Sequence, residues 1–161
     1  MDFMEVVKTR RSIRRYKPDS VPDEILNQIL EAARLAPSAG HRQPWHFIVV
    51  KNPETKKQLG ISSWAVEAPV VIVGCGDAGV SPTLHMVDLA IAFEHLVLAA
   101  TNFGLGTCWI GKLGIDETIK KVLRIPEHVK VVAVTPLGYP AETPSPKARK
   151  SMSEIVHYEK F

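Results

Sequence analysis

Four short segments of this 161-residue chain carry most of its potential chemistry. The first is Arg10-Arg11-Ser12-Ile13-Arg14-Arg15-Tyr16. Side chains alternate along an extended backbone, so Arg10, Ser12 and Arg14 are expected on one side. A hydroxyl between two guanidinium groups makes a phosphate clamp, because the guanidinium fork matches phosphate oxygens in pairs. Each such charge-assisted bond contributes roughly 1.5–3 kcal/mol. The same run also reads as a solvated basic face or, with only Tyr16 to stack on a base, as a nucleic-acid arm. The second segment, Ala36-Pro37-Ser38-Ala39-Gly40-His41-Arg42-Gln43-Pro44-Trp45, is turn-rich and dense in donors. Its small residues let a ligand approach the backbone, and Ser38, His41, Arg42 and Gln43 suit the polar edge of a ring. An ordinary connecting loop is the alternative.

The third segment is Gly104-Leu105-Gly106-Thr107-Cys108-Trp109-Ile110-Gly111. It lacks the GxGxxG spacing of a dinucleotide fingerprint and follows a helix where that fingerprint follows a strand. A backbone N–H at Gly111 could still reach a heterocycle nitrogen, and Cys108 reads as a small core residue. The fourth is Lys147-Ala148-Arg149-Lys150, preceded by Tyr139-Pro140-Ala141-Glu142-Thr143-Pro144-Ser145-Pro146. Prolines hold that stretch extended, so Lys147 and Arg149 point the same way and form a second basic pair, far in sequence from the first. His41, His46, His85, His95, His128 and His157 show no paired ligand spacing, so no metal is expected. Asp88 and His95, seven apart on one helix, read as a satisfied buried polar pair. With no nucleophile elbow, Walker loop or carboxylate pair standing out, chemistry, if present, must come from a bound cofactor.

The elements that position these segments are those of one domain spanning 1–161. Hydrophobic residues make up 45% and charged residues 23%, which excludes a disordered or fibrous chain. Twenty Lys and Arg against seventeen Asp and Glu leave a net charge of +3, too little to imply a polyanion partner. The surplus is local: six basic residues fall between Lys8 and Lys17, with no acid among them. The opening residues show no signal peptide pattern, and Cys75 and Cys108 form no disulfide framework, so a cytoplasmic protein with reduced thiols is expected. Helices are expected near Phe3–Val7, over Pro22–Leu35, from Pro53, over Leu84–Phe103 and over Asp116–Leu123. The fourth of these carries His85, Asp88, Glu94, His95 and Asn102, which marks a buried core helix and not a membrane span. Strands are expected at Trp45–Val50, Pro69–Val73 (ended by Gly74 and Gly76), Thr107–Ile110 and Val129–Val134, giving a sheet covered on both faces. The last residues, Ser153–Phe161, show no helix period.

In order and spacing, "RRSIRRY", "APSAGHRQPWHFIVV", "EAPVVIVGC", "FEHLVLAATNFGLGTCWIG", "PLGYPAETPSPKARK" and the tail "YEKF" resemble the nitroreductase family of FMN-dependent oxidoreductases over nearly the whole chain. The resemblance implies an α+β fold, a three-layer α/β/α sandwich around a mixed, mainly antiparallel sheet. It also implies a homodimer whose C-terminal tails are exchanged, with FMN at the interface. It assigns Arg10, Arg11, Ser12, Arg14, Lys147 and Arg149 to the FMN phosphate and the pyrimidine side of the ring. Pro37, Ser38, Ala39, His41 and Gln43 match the loop lining the ring from the other subunit, and Ile110 and Gly111 the approach to flavin N5. The implied activity is ping-pong electron transfer from NAD(P)H through FMN to a small-molecule acceptor such as a nitroaromatic, quinone or flavin, with neither nucleic acid nor membrane as partner. Flavin-dependent reduction or dehalogenation of another substrate, and a non-catalytic FMN-binding or sensing module, remain open at this point. His41 and His95 stand where the family commonly has Asn, Trp64 lies near a pocket-lining region, and Arg42 and Lys112 could meet a 2′-phosphate of NADPH.

Overall fold

The computed structural model describes residues 1–111 and 116–161. Its elements run α1 (Phe3–Thr9), α2 (Asp23–Arg34), a 3-10 turn (Ala39–His41), β1 (Trp45–Val50), α3 (Pro53–Gln58), α4 (Ser63–Val66) and β2 (Val70–Asp77). They continue with α5 (His85–Asn102), β3 (Gly106–Thr107), α6 (Asp116–Leu123), β4 (Val129–Gly138) and α7 (Met152–Ile155). Local chemistry sets the helix ends. Asp2 accepts the Glu5 amide at 2.9 Å to cap α1, and Asn52 does the same for Thr55 at the start of α3. In α2 the buried stripe is Leu26, Ile29 and Ala33, with Asp23 and Glu24 at the positive end of the helix dipole.

The four strands lie in the order β1-β2-β4-β3, each neighbouring pair antiparallel. Among the described residues, parallel pairing enters only through a bridge between Ser12 and Thr107. Alternation along β2 sends Val70 and Ile72 to a core with α2 and α5, and Val71, Val73 and Cys75 to a core with α6. These are the three expected layers. Along β4 the parity slips: Val131 and Val134 share the second core while Ala133 and Leu137 face the first. The cause is a bulge, since Gly74 pairs with Ala133 and Cys75 with Val131, leaving Val132 unopposed.

Two strand ends differ from the sequence reading. β2 does not stop at Gly74 but runs on to Asp77, buried throughout. Gly74 and Gly76 are instead where α5 lies closest to the sheet. A Cβ at Gly74 would sit 2.8 Å from the Phe93 ring, and one at Gly76 2.7 Å from the His85 carbonyl oxygen. β3 stops at Thr107 instead of Ile110, although Ile110 pairs again with Val134 in the same register. The gap falls where Cys108 would face Pro136, which has no N–H to give. The Cys108 amide turns to the Thr135 hydroxyl oxygen, 3.1 Å away.

Helix α5 has apolar residues around most of its surface, yet only part of it is covered within this chain. Leu89, Phe93, Leu96 and Ala100 are fully buried, whereas Met86, Val87 and Ile91, and Leu84 just before the helix, are exposed. No helix among the described residues is long and apolar enough to cross a membrane.

The close approach of α5 to β2 makes Gly76 sensitive to a single methyl group. Gly76→Ala pushes on a helix carbonyl that cannot swing away, so it is expected to cost about 1–3 kcal/mol. For a domain of this size that lowers the melting temperature by roughly 2–10 °C. Thermal unfolding followed by circular dichroism measures it; an unchanged melting temperature contradicts the packing described.

Candidate functional site

The two basic segments meet along one edge of the sheet. Residues 12–17 run extended and are held by main-chain bonds to two other segments. Ile13 N–H donates to Thr107 O at 2.8 Å, Lys17 N–H to Tyr139 O at 2.8 Å, and Ala141 N–H to Arg15 O at 2.9 Å. Tyr16 and Pro140 form an antiparallel bridge, and the Tyr16 hydroxyl donates to Ile13 O at 2.5 Å. Burial pushes the Tyr16 phenol far above its ordinary range. Ile13 is buried against Gly106, where an added Cβ would come within 2.6 Å of it. With Ile13 pointing in, alternation turns Ser12 and Arg14 outward, as the sequence predicts.

The result is a cavity of about 600 Å³ whose walls are Lys8, Arg10, Arg11, Ser12 and Arg14 on one side and Glu142, Pro144, Ser145, Pro146, Lys147 and Arg149 on the other. Not all of its cations are free. An Arg11 guanidinium nitrogen donates to Lys8 O and Arg10 O, each at 2.8 Å, and so closes the C-terminal end of α1. Arg149 turns toward Lys147 O at 3.3 Å. The Arg14 guanidinium carbon lies 5.8 Å from the centre of the Trp64 ring on α4, a cation–π distance that places Trp64 beside the site.

Glu142 is the residue that sequence reasoning missed. One carboxylate oxygen accepts the Arg14 amide at 2.6 Å, and the other lies 3.3 Å from Arg15 Nε. The Arg14 amide is the main reason its carboxyl is held below the usual range, with Arg15 assisting. The only hint in the sequence is an acid amid a run of prolines between two basic segments. Cys108, beneath this edge, is buried, and burial raises its thiol pKa, in keeping with a small core residue.

The other expected site residues lie elsewhere. None of Pro37, Ser38, Ala39, His41, Gln43, Ile110 and Gly111 lines this cavity. The 37–43 loop has its own framework. Ser38 Oγ accepts the Gln43 amide at 2.9 Å, Ser38 O accepts the His41 amide at 3.0 Å, and the Ala39 amide donates to Asp88 Oδ1 at 2.9 Å. His41 and Gln43 both hold left-handed backbone, φ 56° and 50°, which costs roughly 1–2 kcal/mol for a residue with a Cβ. The loop thus spends energy to present His41 and Gln43 to solvent. Asp88 anchors it and does not pair with His95, whose Nδ1 faces Ala32 O at 3.2 Å between α2 and α5. Ile110 pairs with Val134, and Gly111 is exposed beside the Trp109 indole. Lys112 lies outside the described residues. Asp88→Ala leaves the Ala39 amide without its acceptor and is expected to cost about 1–3 kcal/mol. Hydrogen exchange should speed up at residues 39–43 in that variant; unchanged exchange there contradicts the anchor.

A dense set of cations with two hydroxyls, Ser12 and Ser145, facing a single acid whose oxygens are already engaged, suits a phosphate monoester better than any neutral ligand. Comparison with known proteins agrees in kind. A model described as "Nitroreductase family" matches residues 7–65 and 58–139. A protein of Methanothermobacter thermautotrophicus, provisionally named NADH dehydrogenase/NAD(P)H nitroreductase, is 40% identical over 170 residues, covering 100% of this chain and 88% of its own. A Bacillus subtilis protein named FMN reductase, NAD(P)H, is 30% identical, covering 98% and 74%. The solved structure of an FMN-dependent nitroreductase from Clostridium difficile R20291 superposes with a TM-score of 0.87 at 32% identity, covering 98% and 99%. Motif order, three-layer fold and these likenesses agree: the chain belongs to the nitroreductase family.

Proposed function

We propose that this chain is an FMN-dependent NAD(P)H oxidoreductase that delivers electrons to a small-molecule acceptor such as a nitroaromatic, quinone or flavin. The observation that carries the reading is the single cavity in which Arg10, Ser12 and Arg14 face Lys147 and Arg149. Residues 1–161 form one FMN-binding domain in this proposal, and the protein works in the cytoplasm.

The donor set fits the cofactor. Arg10, Ser12, Lys147 and Arg149 would hold the phosphate, with Arg11 closing α1 beside them. Arg14, steadied by Trp64, would offer positive charge to the pyrimidine edge of the ring, favouring a reduced, more electron-rich ring over a neutral one. Pro37, Ser38, Ala39, His41 and Gln43 would line the ring from a second copy, and the Ile110 and Gly111 backbone would approach its central nitrogen. FMN held there would supply two-electron redox chemistry between NAD(P)H and the acceptor. The chain itself positions, neutralises charge and shields.

Two copies are needed because the ring-lining loop does not reach the cationic cavity within one chain. The surface supports this. Val87 and Ile91 on α5 with Leu84 just before it, Phe3, Met4 and Val7 on α1, and Met152, Ile155, Tyr158 and Phe161 in the tail are all exposed. Apolar surface on this scale marks an interface, and a tail reaching around a second copy would cover it.

Purified protein is expected to be yellow and to bleach on anaerobic addition of NADH or NADPH; yellow protein that never bleaches supports a binding module instead. Arg10→Ala should weaken FMN binding by at least about tenfold, the equivalent of 1.4 kcal/mol, read by fluorescence titration. Unchanged affinity removes Arg10 from the site. Sedimentation should give twice the 17.8 kDa chain mass; a 17.8 kDa species that still holds flavin and turns over rules out the shared site.

A further inference from the structure

We propose that Glu142 is the positioning residue that fixes the two walls of the cationic cavity relative to each other, and that phosphate affinity depends on it although it carries the wrong charge. The inference rests on the FMN reading above. Three observations lead to it.

First, Glu142 is the sole acid among the described residues lining the cavity. A carboxylate there repels an incoming phosphate, so charge alone gives it no place. Second, the 12–17 segment is tied to its neighbours through the amides of Ile13 and Lys17 and the carbonyl of Arg15. The Arg14 amide lies between these ties, and its partner is the Glu142 side chain at 2.6 Å. Glu142 thereby takes the place of a missing strand residue and holds the Arg14 backbone, and with it the wall that carries Ser12 and Arg14, against its own segment. Third, the chain on both sides of Glu142 is stiff. Pro140, Pro144 and Pro146 each fix a backbone angle, so a shift at Glu142 is passed on to Lys147 and Arg149 instead of being absorbed.

The carboxylate's two oxygens are turned to the Arg14 amide and toward Arg15. Its repulsion is therefore partly neutralised, while its positioning effect acts on the whole opposite wall. Positioning is the effect expected to win.

The test compares wild type, Glu142→Gln and Glu142→Ala by titration with FMN and with riboflavin, which lacks the phosphate. Wild type should prefer FMN. In Glu142→Ala that preference should shrink by about tenfold, the loss expected for one charge-assisted bond. Glu142→Gln keeps an oxygen for the Arg14 amide and should restore the preference to within about threefold of wild type. If both variants bind FMN more tightly than wild type, the carboxylate acts only by repulsion and the proposal is overturned; an unchanged preference in Glu142→Ala overturns it too. A wild-type protein indifferent to the phosphate sinks the phosphate reading itself, a result distinct from either. Should Glu142→Ala not fold, the wild-type Arg14 amide proton gives a second readout by NMR. It should shift with the Glu142 carboxyl as pH falls below the usual glutamate range, and an amide insensitive to pH there overturns the proposal.

Discussion

Gathering positive charge from two distant parts of a chain into one cavity is unfavourable before any ligand arrives. Two unit charges 4 Å apart repel by about 1 kcal/mol even in water, and by more near a protein surface. Something must hold the Lys8–Arg14 and Lys147–Arg149 segments together against that repulsion. The structure supplies backbone. Residues 12–17 sit between the Thr107 edge and the Tyr139–Ala141 segment, tied by main-chain hydrogen bonds that no change of ligand or salt removes. The repulsion that remains is what an incoming anion relieves, so the same arrangement that strains the free protein favours the bound one.

Everything on the sheet side serves that edge. Glycines at 74 and 76 let α5 settle onto β2. The bulge opposite Gly74 shifts the parity of β4, and Pro136 ends β3 early enough for Cys108 and Trp109 to leave the ladder. Gly106 then admits Ile13, whose burial decides which side of the 12–17 segment faces out. A chain of small steric permissions ends in the direction of three side chains. The pH behaviour of the Glu142–Arg14 contact follows from the same geometry. Glu142 is held below the ordinary glutamate range, so its contribution is present above that range and fades as pH falls through its lowered value.

Much of this was legible in the sequence, for identifiable reasons. The α2 stripe, the buried β-branched run of β2 and the alternation through Arg10, Ser12 and Arg14 are short-range patterns that a chain displays directly. What was not legible depended on contacts between distant residues. Gly74 and Gly76 look like strand terminators until a helix is seen resting on them. Asp88 and His95 share a helix and invite pairing, yet each bonds to a different element, Asp88 to the Ala39 amide and His95 to Ala32 O. Glu142 carries no local signal because its partner is 128 residues away. Leu84, at the start of α5, and Val87 and Ile91 on it looked buried because composition reports apolarity, not which molecule covers it.

The convergence of the two cationic segments on one phosphate is tested most directly by a double-mutant cycle. Arg10→Ala, Arg149→Ala and the double variant are titrated with FMN. If both arginines act on the same group in one cavity, their effects on binding are non-additive, with a coupling of about 0.5–3 kcal/mol. Strict additivity, two independent losses that simply sum, would mean that the two ends of the chain serve different partners and that the shared site does not exist.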